Sequence, residues 1–184
     1  MSLLLLTFKQ IEQLVNNMSF RDLLHDVENV EERTSVINEM LEYSVDNGNP
    51  PLLFTNLVES EGHKAAVNVL TRERICNTFD ITPGELIDTM AWAMKNPSEP
   101  IIIGKEEASV MDNTQKEVNL EIIPIPWHYK EDKGRYQSAS VIIAEYEGIR
   151  NMSFHRQYLR DKNHTVSRFV PRHLRTMMDK AQEN

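Results

Sequence analysis

The stretch ASVIIAEYEGIRNMSFHRQYL, residues 139–159, decides the fold. Ala139 to Tyr146 is rich in β-branched and aromatic residues, and Ile149 to Leu159 resumes that character. Glu147-Gly148 between them is a turn pair. Asp161-Lys162-Asn163 turns the chain again, and Thr165 to Val170 returns. The pattern predicts an antiparallel meander from Ser138 to Val170. Pro171 then opens a final helix that runs through Met177 and Met178.

Upstream the spacing changes from alternation to helical period. Ser19 is a good N-cap for a helix over Phe20 to Val27. Thr34 opens a second helical segment with Val36, Ile37, Met40, Leu41 and Val45 on one stripe, stopped by Asn47-Gly48-Asn49-Pro50-Pro51. Leu52 to Phe54 and Ala65 to Leu70 read as strands. Thr71 caps a short helix through Thr78. Thr82-Pro83-Gly84-Glu85 starts another that runs to Lys95. The polar stretch from Lys105 to Val118 is a connector. It leads to Ile122-Ile123-Pro124-Ile125-Pro126, where two prolines forbid a central strand. The fold class is therefore α+β, with an N-terminal α/β unit over residues 1–123 and the start of a β-rich domain over residues 124–184.

A chain of 184 residues with 40% hydrophobic and 26% charged residues has the composition of a globular protein. Its net charge of -8 argues against a general nucleic-acid or anionic-membrane surface, since both need clustered cations. The basic residues are dense after Arg150, which leaves a local anion site open. The single cysteine, Cys76, rules out an internal disulfide and a cysteine-based zinc cluster, and it fits a reducing, cytoplasmic compartment. The apolar run Leu3 to Leu6 is too short to span a bilayer and lacks a basic leader and a cleavage site. Gly-rich nucleotide loops and the Gly-x-Ser-x-Gly hydrolase elbow are absent.

Chemistry concentrates in Asn151-Met152-Ser153-Phe154-His155-Arg156 and in Arg172-His173. An amide, a hydroxyl, imidazoles and guanidiniums together can ligate a hard metal, hold a phosphate and grip a carboxylate. Asn151 is disfavoured in a strand, so it marks a bulge, an edge or a ligand. His173 stands in the first turn of a helix, either a surface residue or part of an anion site. Arg156 is a cross-strand ion-pair partner or a carboxylate clamp. Strict alternation places Asn151, Ser153 and His155 on one face and Met152, Phe154 and Arg156 on the other. One site using both Asn151 and Arg156 would need a bulge to re-aim one of them. The other histidines, His155 among them, lack metal-ligand spacing and read as surface or structural.

Several segments, in this order, resemble UbiD-type decarboxylases, which use prenylated flavin mononucleotide. They are Ser19 to Leu24, Pro51 to Asn56, Leu70 to Arg74, Ile123 to His128, Gly134-Arg135-Tyr136, Arg150 to Arg156 and Val170 to Leu174. In the third, Leu70 stands where the family usually has glycine. The resemblance implies that residues 124–184 begin a split-barrel-like flavin-binding domain. It implies that Asn151 and His173 bind a divalent metal, Mn2+ or Mg2+, which bridges to the flavin phosphate. Ser153 and Arg172 then line the cofactor, a carbonyl near Met152 helps hold K+, and Arg156 orients the substrate carboxylate as the catalytic arginine.

The family's third metal ligand, its catalytic glutamates and its oligomerisation domain fall later than Asn184. The expectation is a component or fragment of a carboxy-lyase acting on an unsaturated or aromatic acid. It would be completed by a second polypeptide or C-terminal half, as an oligomer, without nucleic acid or membrane. The competing expectation is a non-catalytic assembly subunit or a flavin-binding module.

Overall fold

The computed structural model describes residues 20–97 and 101–183. The Ser19 cap and the Leu3 to Leu6 run lie outside them. Two three-stranded sheets are present among the described residues, one in order β1-β2-β3 and one in order β4-β5-β6. The first comprises β1 (Glu28–Val30), β2 (Leu52–Phe54) and β3 (Ala65–Val67); the second comprises β4 (Tyr136–Tyr146), β5 (Ile149–Asp161) and β6 (His164–Ser167). The described residues also form four α-helices: α1 (Glu39–Asp46), α2 (Arg72–Thr78), α3 (Leu86–Lys95) and α4 (His173–Glu183). None is long and apolar enough to cross a membrane.

The chain forms two compact units, and they do not follow one cut in the sequence. One holds residues up to 29, 49–53 and 66–116; the other holds 30–48, 54–65 and 117–184. In the first, the Thr71 hydroxyl accepts from the Arg74 N–H at 3.3 Å and caps α2 as its sequence predicts. Cys76 is fully buried with Ile81 against Phe79 and Leu86, which makes it a packing residue. The Glu85 carboxylate accepts from the Thr82 N–H (2.8 Å) and hydroxyl (2.7 Å). The backbone N–H bond, then the hydroxyl bond, hold its pKa below the ordinary value.

In the second unit two sequence expectations fail locally. The helix expected from Thr34 begins only at Glu39. Thr34 instead forms a parallel bridge with Leu57, and Val36 is buried beside it. The Glu59 carboxylate accepts from the Ser35 hydroxyl and from the Val36 N–H, holding this segment extended. Tertiary hydrogen bonds outweigh a helical stripe whose propensity is worth only tenths of a kcal/mol per residue, on the order of 0.7 at most. The strand expected to Val170 stops at Ser167. In the first unit, the opening helix expected to Val27 is a 3-10 turn over Phe20–Leu24, because Glu28 already belongs to β1.

The proline-rich stretch before β4 has few N–H groups to pair, so its carbonyls need other donors. Arg135 supplies them. Its Nε donates to the Ile125 carbonyl at 2.8 Å, Nη2 to Ile123 at 2.7 Å and Nη1 to Glu121 at 3.2 Å. Burial pushes the pKa of this guanidinium down, while the charges of Glu59 and Glu121 oppose that. On either side, Tyr136 N–H donates to Pro126 (3.1 Å) and Leu159 N–H to Arg135 (2.9 Å). Gly134 has φ +155, and a Cβ there would stand 3.0 Å from the Tyr158 ring.

From this anchor β4 and β5 run as a hairpin. Tyr146 faces Ile149 across a two-residue turn in which Glu147 (φ 52) and Gly148 (φ 76) are both left-handed, as a type I′ turn requires. One face of the hairpin, with Ile142, Ala144, Asn151, Ser153 and His155, is half-buried. On the opposite face Val141 pairs with Phe154 and Ile143 with Met152. These four apolar side chains are 47%, 76%, 62% and 65% exposed.

Arg135→Met should lower the unfolding free energy by about 1–3 kcal/mol, because it removes three hydrogen bonds and leaves the Ile125 carbonyl without this donor. Gly134→Ala should cost about 1–3 kcal/mol through backbone strain against Tyr158. Urea denaturation of the two variants measures both, and unchanged midpoints would dismiss the anchor.

Candidate functional site

Alternation along β5 is unbroken from Arg150 to Arg156, so the face expected from sequence is the face observed. The Asn151 Nδ2 donates to the Ser153 Oγ at 3.3 Å. That Oγ lies 2.9 Å from the His155 Nε2. The His155 ring stands edge-on to Phe169, with centroids 4.8 Å apart and planes at 75°. Sequence reasoning set His155 aside; its signal was the i, i+2, i+4 spacing from Asn151.

α4 packs beside this face. Its start is built by the Arg172 carbonyl, which accepts from the Thr176 N–H at 3.0 Å and from its hydroxyl at 3.3 Å. Leu174 is buried, and the Tyr146 hydroxyl donates to the Lys180 carbonyl at 3.3 Å. Between hairpin and helix lies a cavity of about 310 Å³ whose lining includes Asn151, His173, Arg150, Lys180, Tyr146 and Met177. The structure thus brings Asn151 and His173, from different elements, to one cavity. The first turn of α4 adds N–H groups and the positive end of a helix dipole. An amide oxygen and an imidazole suit a divalent cation, and the neighbouring cations suit a phosphate. Among the described residues no group of three or more His, Cys, Asp or Glu comes together to hold a metal ion.

Arg156 lies elsewhere. It is exposed on the opposite face and lines a second cavity, of about 320 Å³, with Tyr136, Ser138, His128, Lys133 and Glu131. The bulge that sequence reasoning required is present, but on the partner strand. Gln137 pairs with Gln157 and Ser140 with His155, so the additional residue sits in β4, opposite Arg156. It does not turn Arg156 toward Asn151. Ser138, at the bulge, and Tyr136, stacked near Tyr158 at 5.2 Å, join the Arg156 cavity, and sequence reasoning missed both. Lys133 Nζ lies 5.2 Å from the Tyr158 ring centroid, a cation–π distance. Met152 sits opposite Ile143 with its side chain on the exposed face, and the Arg172 side chain is exposed.

Comparison with known proteins gives these features a family. Residues 102–184 match the UbiD family model, described as the 3-octaprenyl-4-hydroxybenzoate carboxy-lyase Rift-related domain. The chain is 30% identical over 135 residues to an anhydromevalonate phosphate decarboxylase of Methanosarcina mazei, covering 72% of this chain and 31% of that protein. The Methanothermobacter thermautotrophicus protein of the same name is 32% identical over the same length and coverage. Among solved structures, the fold matches an evolved dimeric form of the UbiD-class enzyme HmfF from Pelotomaculum thermopropionicum, in complex with prFMN. The TM-score is 0.78 at 21% identity, covering 94% of this chain and 41% of that one. The apo 3,4-dihydroxybenzoic acid decarboxylase of Klebsiella pneumoniae matches at a TM-score of 0.76 and 15% identity, over 94% and 39% of the two chains. The chain spans about a third of the length of the curated relatives it matches; its residues 102–184 are similar to the UbiD Rift-related domain, and its fold is that of UbiD-class enzymes.

Proposed function

We propose that this chain is the metal- and carboxylate-binding part of a UbiD-type decarboxylase acting on a small carboxylic acid. Residues 1–123 are its N-terminal α/β portion, and residues 124–184 begin its prenylated-FMN domain. The observation that carries this reading is the cavity shared by Asn151 and His173. Asn151 and His173 hold Mn2+ or Mg2+, with Ser153 and Arg172 toward the cofactor and K+ near the Met152 carbonyl. Two protein ligands leave most of a divalent ion's coordination to water, to a phosphate and to donors outside this chain. When bound, the flavin supplies the electron-accepting chemistry for carbon–carbon cleavage.

The chain's own residues bind and orient. Arg156 presents a planar fork to the substrate carboxylate, in a cavity where Lys133 adds a second cation. The name of the archaeal relatives adds phosphorylated acids to the unsaturated and aromatic ones as substrates to test. Arg156 cannot return a proton to carbon, because a guanidinium stays charged in proteins and is no proton donor to carbon. An acid from another segment does so.

That segment is the part of the UbiD fold which the longer relatives carry in one chain. The exposed face of Val141, Ile143, Met152 and Phe154 favours it, because a sheet face this apolar is normally covered. The assembly is an oligomer in the cytoplasm. A non-catalytic assembly subunit is the second reading, favoured by the opposite facing of Arg156 and Asn151.

Mn2+ titrated into the purified chain should broaden the NMR signals of His173 and Asn151 before others. Asn151→Ala and His173→Ala should each weaken binding by about tenfold or more, as loss of one of few ligands does. An unaffected affinity would remove the metal site. In a decarboxylation assay the lone chain should be inactive with prenylated FMN, Mn2+ and K+. Adding the remaining UbiD segment should give carbon dioxide release, which Arg156→Ala abolishes and Arg156→Lys barely rescues. The acid step alone is worth about 10²–10⁴-fold. Turnover by the lone chain would overturn the division of labour. Phe154→Glu should block association with that segment while the circular dichroism spectrum stays unchanged; undiminished association would assign the apolar face to something else.

A further inference from the structure

His155 has no role in either cavity, yet it ends a hydrogen-bonded row that starts at Asn151. The three residues alternate along β5 and therefore share a face. The amide Nδ2 of Asn151 is a donor only, so the Ser153 Oγ accepts from it at 3.3 Å. With the His155 proton on Nδ1, its Nε2, 2.9 Å from the Ser153 Oγ, accepts the hydroxyl hydrogen. In that tautomer all donors in the row run one way, from amide to hydroxyl to imidazole. The Phe169 ring, edge-on at 4.8 Å, fixes the plane of the imidazole.

This direction has a consequence for Asn151. An amide has one oxygen and one nitrogen, and only the oxygen ligates a hard cation. With Nδ2 committed to Ser153, Oδ1 is the end left for the cavity that His173 also lines. Were the Nε2 of His155 a donor, the Ser153 hydrogen would be released and could turn to Oδ1, leaving the amide nitrogen for the cavity. The acceptor state of one imidazole nitrogen thus favours one end of Asn151 over the other. We propose that His155 is a positioning residue which, through Ser153, orients the Asn151 amide with its oxygen toward the divalent-cation site. The inference rests on the reading of Asn151 as a metal ligand. Partners that orient a ligand are typically worth about 10–100-fold in metal affinity.

The test uses the full chain and two readouts, one without metal. His155→Phe keeps a ring against Phe169 and removes the acceptor, Ser153→Ala breaks the row in the middle, and His155→Gln restores an acceptor. In the metal-free protein the Asn151 side-chain amide signals should move in His155→Phe as they do in Ser153→Ala. They should stay near wild type in His155→Gln, with all melting temperatures alike. Mn2+ affinity, read from broadening at His173, should fall about tenfold or more in both disrupting variants and no further in their combination. Wild-type amide signals in His155→Phe would overturn the proposal, as would wild-type Mn2+ affinity alongside a weakened Ser153→Ala. Absence of Mn2+ broadening in the wild type would sink the metal reading itself, while the metal-free amide signals still decide whether His155 orients Asn151.

Discussion

The guanidinium of Arg135 is the contact on which the sheet of β4, β5 and β6 depends. Pro124 and Pro126 leave the preceding stretch short of donors, and three of its carbonyls converge on one side chain at 2.7–3.2 Å. A single planar fork satisfies what a ladder would otherwise have to. Lysine has donors enough but no fixed fork, so this is a position where the two cations are not equivalent. The neighbours tighten the constraint. Gly134 allows the Tyr158 ring to lie within 3.0 Å of where a Cβ would be, and the Arg135 carbonyl takes the Leu159 N–H. The start of β4 is thereby locked to the end of β5, and the hairpin register follows.

Once the register is locked, the chemistry is sorted by face. Asn151, Ser153 and His155 fall on the half-buried face of β5, Arg156 on the exposed one. The cavities differ in what accompanies their cations: one sets an amide and an imidazole beside Arg150 and Lys180 at a helix start, the other sets Tyr136, His128 and Glu131 beside Arg156 and Lys133. The first suits a metal and a phosphate, the second a carboxylate.

The exposed face carries the remaining argument. Cross-strand pairs of large apolar side chains stabilise a sheet through contact with each other, yet their outer surfaces stay in water. Burying a side chain of this size is worth about 1.5–3 kcal/mol, so four of them are a strong incentive to association. The curated relatives of this chain are about three times its matched length.

The sequence by itself determined the local elements whose causes are local. Thr71 caps α2, Glu147-Gly148 closes the hairpin, and period-two alternation assigns every β5 side chain to a face. It also placed Asn151 and Ser153 together, since that needs only the pleat. It did not reveal the start of α1. There Thr34 to Ile37 are held extended by Leu57, Glu59 and Trp127, residues too distant for any local pattern to register. Nor did it locate the bulge, which lies in β4 although the residue it serves is on β5. Only the tertiary structure decided that Asn151 and His173 share a cavity, that Arg156 does not, and that His155 lies within hydrogen-bonding distance of Ser153. Each of these depends on which strand lies beside which helix, and that is set by long-range hydrogen bonds and packing to which side-chain periodicity is blind.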